Sequence, residues 1–184
     1  MNAAFIRKCC LVFGSVALAA AALPARADWP DKVIRIVVPF AAGGSTDLIA
    51  RKVAEGLGQR LSANVIVENR PGAGGTVGTD YVARQPPDGY TILMGSVSTH
   101  GSAPCVYSKL PYDPVKDFTP LSVVATIPNV MSVNQSVPAN TLQEFVALLK
   151  KDPEKYSFAS NGQGTSNHLA AELFKSTAGV SMAV

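Results

Sequence analysis

The sequence predicts an α/β fold in which mostly parallel sheets are flanked by helices, arranged as two similarly built lobes facing a cleft. Three observations predict it. Runs rich in β-branched residues alternate with segments whose apolar positions recur at helical spacing, the pattern of parallel strands joined by crossover helices. A strand, a glycine turn and a helix start occur together in "VIRIVVPFAAGGSTD" and again, far along the chain, in "YSFASNGQGTSNH". Between the two lies a long extended run with a proline in its middle, as expected of a strand passing from one lobe to the other.

Taken in order, "VIRIVV" (33–38) is the first strand, and a helix over 45–61 follows the turn "AAGGSTD". "NVIVE" (64–68) is the second strand, residues 76–84 a second helix, and "YTILMG" (90–95) a third strand. The segment "SKLPYDPVKDFTP" (108–120) contains three prolines and is expected to be a rigid surface connection. "LSVVATIPNVMSVN" (121–134) is the candidate crossing strand. Thr141 and Glu144 form a capping box that opens a helix running to about residue 151, which Asp152-Pro153 ends. "YSFAS" (156–160) is a short strand, followed after "NGQGTSNH" by a helix with Leu169, Leu173 and Phe174 on one face and Gly179 as its stop. The apolar run "VSMAV" at 180–184 reads as a strand whose partners lie outside this chain, so the second lobe is expected to be incomplete. The expected division is an export segment over 1–27, a first lobe over 28–125 and a partial second lobe over 126–184.

The export reading rests on Arg7 and Lys8, an apolar stretch over 11–23, and Ala25-Arg26-Ala27 as a cleavage site. Thirteen apolar-run residues are too few to span about 30 Å of hydrocarbon. Cys9 and Cys10 precede that stretch, so neither can carry a lipid after cleavage, and both leave with the segment. Without it the +3 charge vanishes, leaving equal numbers of basic and acidic residues and no electrostatic case for a nucleic-acid partner. Cys105 then stands alone, without an intramolecular disulfide partner, and reads as a small buried apolar residue.

Both glycine turns place backbone N–H groups at a helix start, where they are unpaired and the helix dipole favours an anion; phosphate and carboxylate fit equally. No Lys-Ser or Lys-Thr pair follows either turn, which excludes a Walker loop. "GAGGTVG" (72–78) has the wrong spacing for a dinucleotide fingerprint and lacks its acidic partner, so "RPGAGG" reads as turn geometry alone. Ser45, Thr46 and Asp47 are also capping candidates, and Arg70 beside Glu68 reads as a surface ion pair more than a ligand cation. Ser166 lies two residues before His168, but no nucleophile elbow accompanies the pair. Metal-ligand spacing is absent and no cofactor is implied.

Several stretches together, "WPDKVIRIVVPFAAGGSTDLIAR", "VIVENRPGAGGTVGTDYVAR", "PPDGYTILMGS", "KLPYDPVKDFTPLS" and "FASNGQGTSNHLAAELFK", closely resemble the substrate-binding proteins of tripartite tricarboxylate transporters, the Bug receptors. The resemblance implies a two-lobed periplasmic binding protein that is not an enzyme. It implies capture of a small carboxylate, an organic acid or amino acid, between the two strand-to-helix loops. By that resemblance the ligand-binding positions are Ala42, Gly43, Gly44, Ser45, Thr46 and Asp47 in the first turn, and Gly162, Gln163, Gly164, Thr165, Ser166 and His168 in the second. Ser96, Ser98 and Thr99 line the cleft between them. Implied partners are the carboxylate and, transiently, membrane transporter subunits; the full-length receptor is expected to be a monomer in the periplasm, not embedded in the membrane. A receptor feeding a signalling partner and a periplasmic serine hydrolase are the alternative functions. "THGSAPCVY" departs from the family pattern, which has Asn-Pro where Ala103-Pro104 stands and lacks Cys105.

Overall fold

The computed structural model describes residues 29–153 and 155–184; the export segment read over 1–27 lies outside them. Lys32–Val184 form one compact unit. Its sheet has three parallel strands, β1 (Ile34–Val38), β2 (Val65–Asn69) and β3 (Thr91–Leu93), in the order β2-β1-β3. β1 is central and covered on both faces, so Ile34, Ile36, Val37 and Val38 are at most 1% exposed. That two-sided burial is why the strand reads as a continuous apolar run instead of alternating. Ile36 stands opposite Val67 on one side and Ile92 on the other.

α1 (Ser45–Leu61) carries the chain from β1 to β2 and packs Ala50 and Ala54 against Ile36, Val38 and Met94. A tight 3₁₀ turn, Ala73–Gly75, leads into α2 (Thr76–Ala83), which brings the chain back past β1 to β3 on the other side. Because β2 and β3 flank β1, the segments leaving the C-terminal ends of β1 and β3 diverge. A crevice at such a switch point is where open parallel sheets hold ligands.

After β3 the chain forms a wide helical turn, Val97–Ser102, that continues into the short α3 (Ala103–Val106). The three-proline connection contains no helix, as its composition predicts, and is anchored by the Tyr112 hydroxyl donating to the Thr99 carbonyl at 2.7 Å. The His100 and Phe118 rings meet edge-on 4.9 Å apart beside it. The crossing strand expected at 121–134 does not form: this run pairs with no strand among the described residues, and Val123 and Val130 are 86% and 83% exposed. Its β-branched residues have strand propensity but no neighbouring strand to meet, and Pro128 removes one donor at its centre.

A second core gathers Phe145 and Leu149 of α4 (Leu142–Lys151) with Met182, and Tyr156, Phe158, Phe174 and Val180 pack around them. Thr141 caps α4, its Oγ1 accepting from the Glu144 N–H at 3.2 Å, while the Glu144 carboxylate accepts from Asn140, one residue earlier than a standard box requires. The strand expected at 156–160 shrinks to one parallel bridge between Ser157 and Ala183, with the Phe158 N–H donating to the Ala183 carbonyl at 2.9 Å. The terminal apolar run therefore has a partner within this chain, correcting the expectation that all its partners lie outside. α5 (Ser166–Ala178) is the crossover between them, and Gly179 ends it in the left-handed conformation. Of the face expected on this helix only Phe174 reaches the core; Leu169 and Leu173 are 40% and 68% exposed. Among the described residues no helix is long and apolar enough to cross a membrane.

Candidate functional site

The two glycine turns are the same local structure. Gly43 and Gly164 both have positive φ, +83° and +76°. Each is followed by an extended N-cap residue: Gly44 at φ −75°, ψ 168° and Thr165 at φ −72°, ψ 157°. Ser45 and Ser166 then open their helices. In each turn the glycine N–H donates to a side chain four residues on, Gly43 to Asp47 Oδ2 at 2.8 Å and Gly164 to His168 Nδ1 at 3.1 Å. "GGSTD" and "GTSNH" are thus one motif in register, and the counterpart of Ser45 is Ser166. Asp47 and His168, both expected to touch ligand, hold the bend of their own turns.

The first turn is open. Residues 41–45 are exposed, and the N–H groups of Ser45 and Thr46 have no acceptor among the described residues, since intrahelical donation begins with Leu48 to the Gly44 carbonyl at 3.0 Å. Neither Ser45 nor Thr46 is the N-cap, a position that Gly44 occupies without a side-chain bond. Asp47 is 2% exposed and fully engaged: besides Gly43 it accepts from Arg51 Nε at 3.0 Å and from Asn69 Nδ2 at 3.0 Å. Asn69, at the end of β2, also donates to the Phe40 carbonyl at 3.1 Å and so ties the turn to the sheet.

The Arg51 bond first, then the Gly43 N–H and Asn69, lower the Asp47 pKa from 3.8 to about 2. The unfolded chain binds this proton more readily, so the stability Asp47 supplies is complete above its ordinary pKa and disappears as pH falls from about 4 towards about 2. Chemical denaturation of the wild type and Asp47→Asn is expected to show the steeper loss over that window in the wild type. Asp113, lowered in the same way in its own turn, is common to both proteins and cancels in the difference.

The second turn is closed upon its surroundings. Thr165 is 2% exposed; its N–H and hydroxyl both donate to the Gly162 carbonyl, at 3.2 and 2.6 Å. The Gly162 N–H in turn donates to Ser160 Oγ at 3.3 Å. The Ser166 N–H, equivalent to the free Ser45 donor, is taken by Ser98 Oγ at 3.2 Å. Ser98 is buried in the wall after β3, where the Ser96 N–H donates to Thr99 Oγ1 at 3.0 Å. Thr99 Oγ1 also lies 2.8 Å from His100 Nδ1, and burial lowers the His100 pKa below its usual value.

Besides this wall, the second turn meets the Gly72–Gly75 bend, which the sequence suggested was only a turn and which also packs on Phe40, the residue before the first turn. A methyl group placed on Gly75 would lie 2.8 Å from Thr99 Cγ2 and 3.1 Å from the Phe40 ring. One on Gly74 would lie 2.7 Å from the Gln163 carbonyl oxygen. Tyr107, which sequence reasoning did not single out, brings its hydroxyl within 2.9 Å of the Ala73 carbonyl and 3.2 Å of the Gln163 carbonyl. Ser102, also unforeseen, donates to the Gly164 carbonyl at 2.5 Å. Family spacing alone carried no signal for either, although the run "SAPCVY" that holds them is where this sequence departs from the family pattern.

Other expectations are decided by the same geometry. Arg70 pairs with Glu68 at 2.6 Å, a carboxylate that Arg35 also reaches at 2.9 Å, and the Arg70 guanidinium lies 3.5 Å from the Tyr81 ring centre. Cys105 is exposed, not buried, because α3 turns that residue outwards while burying Ala103. His168 has one ring nitrogen engaged with Gly164 and the other 3.8 Å from Glu172, while its ring stacks on Phe158. Ser166 therefore has no histidine base beside it, and the hydrolase alternative has no geometry in its favour.

A model of the tripartite tricarboxylate transporter family receptor matches residues 49–184. Two proteins of Bordetella pertussis are similar over 91% of this chain and 52% of their own length: a UPF0065 protein at 42% identity and BugT at 38%. The structure of R. palustris Rpa4515 with adipate matches with a TM-score of 0.82 at 36% identity, over 85% of this chain and 52% of that one. That of MatC from Rhodopseudomonas palustris with bound malate matches with a TM-score of 0.79 at 32% identity, over 84% of this chain and 53% of that one. The chain spans about half the length of the relatives it matches. With a parallel sheet flanked by helices and the fold of periplasmic binding proteins over that half, the chain belongs to the family of tripartite tricarboxylate transporter receptors.

Proposed function

We propose that this chain is part of a periplasmic solute receptor that captures a small organic acid at the β1/β3 crevice and passes it to the membrane subunits of a tripartite tricarboxylate-type transporter. The observation that carries the reading is the open first turn, where unpaired N–H groups at the start of a 17-residue helix flank the switch point. Adipate and malate, bound by the two solved relatives, supply the ligand class. In this reading the protein binds without catalysis, acts as a monomer, and is exported by the segment at 1–27. Residues 28–125 and 126–184 belong to its two lobes. Ala42, Gly44, Ser45 and Thr46 face the carboxylate, with Ser96, Ser98 and Thr99 as the wall and Gly162, Gln163, Gly164, Thr165 and Ser166 opposite.

Magnitudes say that the first turn does not suffice. Two charge-assisted hydrogen bonds contribute about 1.5–3 kcal/mol each, and a helix terminus about 0.3–2 kcal/mol. Micromolar affinity needs about 8 kcal/mol net of the cost of association. The second turn has to contribute.

The test separates backbone from side chain. Ser45→Pro removes the N–H while keeping a residue suited to the first helical position, and the extended Gly44 before it is compatible with proline. Ser45→Ala keeps the N–H and removes the hydroxyl. In titration calorimetry with adipate and malate, Ser45→Pro is expected to weaken binding tenfold or more, about 1.4 kcal/mol, with Ser45→Ala milder. The diamides of both acids are expected to bind far more weakly than the acids. Equal binding of acid and diamide would sink the reading.

A further inference from the structure

We propose that Ser102 and Tyr107 are positioning residues for ligand capture: the Tyr107 hydroxyl clasps the second glycine turn onto the Ala73–Gly75 bend, the Ser102 hydroxyl holds the same turn to the helical turn after β3, and the affinity of the site depends on that clasp. The second turn has two kinds of bond. Those from Thr165 to Gly162 and from Gly164 to His168 lie within the turn, so they preserve its shape wherever it sits. Its place is set by bonds from elsewhere. Tyr107 has one hydroxyl proton and two carbonyls within reach, Ala73 at 2.9 Å and Gln163 at 3.2 Å, and shares that proton between the bend and the turn. Ser102 holds the next carbonyl along, that of Gly164, at 2.5 Å.

Packing repeats the message. A methyl group on Gly164 would stand 3.1 Å from Val106 Cγ1, so the turn rests directly on the residue before Tyr107. The bend in turn rests on Phe40 and Thr99 through Gly75, which places the clasp one contact from the first turn. Two binding surfaces presented to one ligand are effective only when their spacing is held before the ligand arrives. Loss of either hydroxyl leaves the turn formed but held only by the other and by the Ser166 N–H donating to Ser98 Oγ, and so freer to move.

This inference rests on the receptor reading, and the experiment distinguishes the two. Amide hydrogen exchange of the ligand-free protein and calorimetry with adipate and malate are compared for the wild type, Tyr107→Phe and Ser102→Ala, with circular dichroism as the check on folding. Both variants are expected to exchange residues 162–166 faster than the wild type. The dissociation constant for whichever acid the wild type binds is expected to rise roughly tenfold, about 1.4 kcal/mol. Wild-type exchange in both variants overturns the clasp. Faster exchange with unchanged affinity overturns its role in capture, and weaker affinity with wild-type exchange makes the hydroxyls direct ligand contacts, which also overturns it. Should the wild type bind neither acid, the receptor reading fails and the dependence of affinity on the clasp fails with it, while exchange still decides whether the hydroxyls hold the turn.

Discussion

Gly74→Ala is expected to push the second glycine turn off the bend and weaken binding of adipate or malate by tenfold or more. Two effects act together. Gly74 has φ +64°, where a side chain costs about 1–2 kcal/mol. Its added methyl group would also stand 2.7 Å from the Gln163 carbonyl oxygen and 2.9 Å from the Tyr107 hydroxyl. The first of these is backbone and cannot rotate away, so the turn itself has to shift. The first core has no reason to follow, because the bend reaches Phe40 and Thr99 through Gly75 and not through Gly74. Circular dichroism is therefore expected to stay near wild type while exchange at 162–166 accelerates and calorimetry shows the loss. Wild-type affinity in Gly74→Ala would mean that the second turn takes no part in binding.

Ile36→Ala is expected to be the most destabilising single substitution in the first core, at about 2–5 kcal/mol. Ile36 sits mid-strand in β1 at 1% exposure, between β2 and β3, against Ala50, Ala54 and Met94. Those neighbours are held by two parallel ladders and a 17-residue helix, so the cavity cannot collapse. At about 2–4 °C per kcal/mol for a chain of this size, the melting temperature should fall by roughly 4–20 °C. Leu169→Ala, at a residue 40% exposed on α5, is the control and should stay within about 0.5 kcal/mol. Comparable losses for the two would show that β1 is not the centre of the stability.

What was legible in the sequence follows from what local pattern encodes. The continuous apolar run of β1 and the helical periodicity after it located both elements, and α1 falls at 45–61 as expected. The glycine turns were legible for the same reason, since a left-handed residue followed by a helix start restricts residue choice at neighbouring positions. Their register comes from the structure, where matching Gly43 with Gly164 places Ser45 with Ser166, and the resemblance of "GGSTD" to "GTSNH" carries the same signal. The run at 121–134 misled because β-propensity reports fitness for a pleated surface and not the presence of a neighbouring strand. Cys105 misled because a small apolar residue on a short helix can face either way.

The sequence by itself determined the alternation of strands and helices, the two turns that open helices, the absence of Lys or Arg from both, and the family. Only the tertiary structure decided that one turn is open and the other closed, that Asp47 and His168 shape their turns, and that the Gly72–Gly75 bend lies between the second turn on one side and Phe40 and Thr99 on the other. The physical reason is distance along the chain. Helix starts and strand runs arise from contacts a few residues apart, which leave a periodic trace in composition. The bonds that place the second turn link Tyr107 to Gln163 across 56 residues and Ser102 to Gly164 across 62, and a hydroxyl meeting a backbone carbonyl asks nothing of the side chain on the other end.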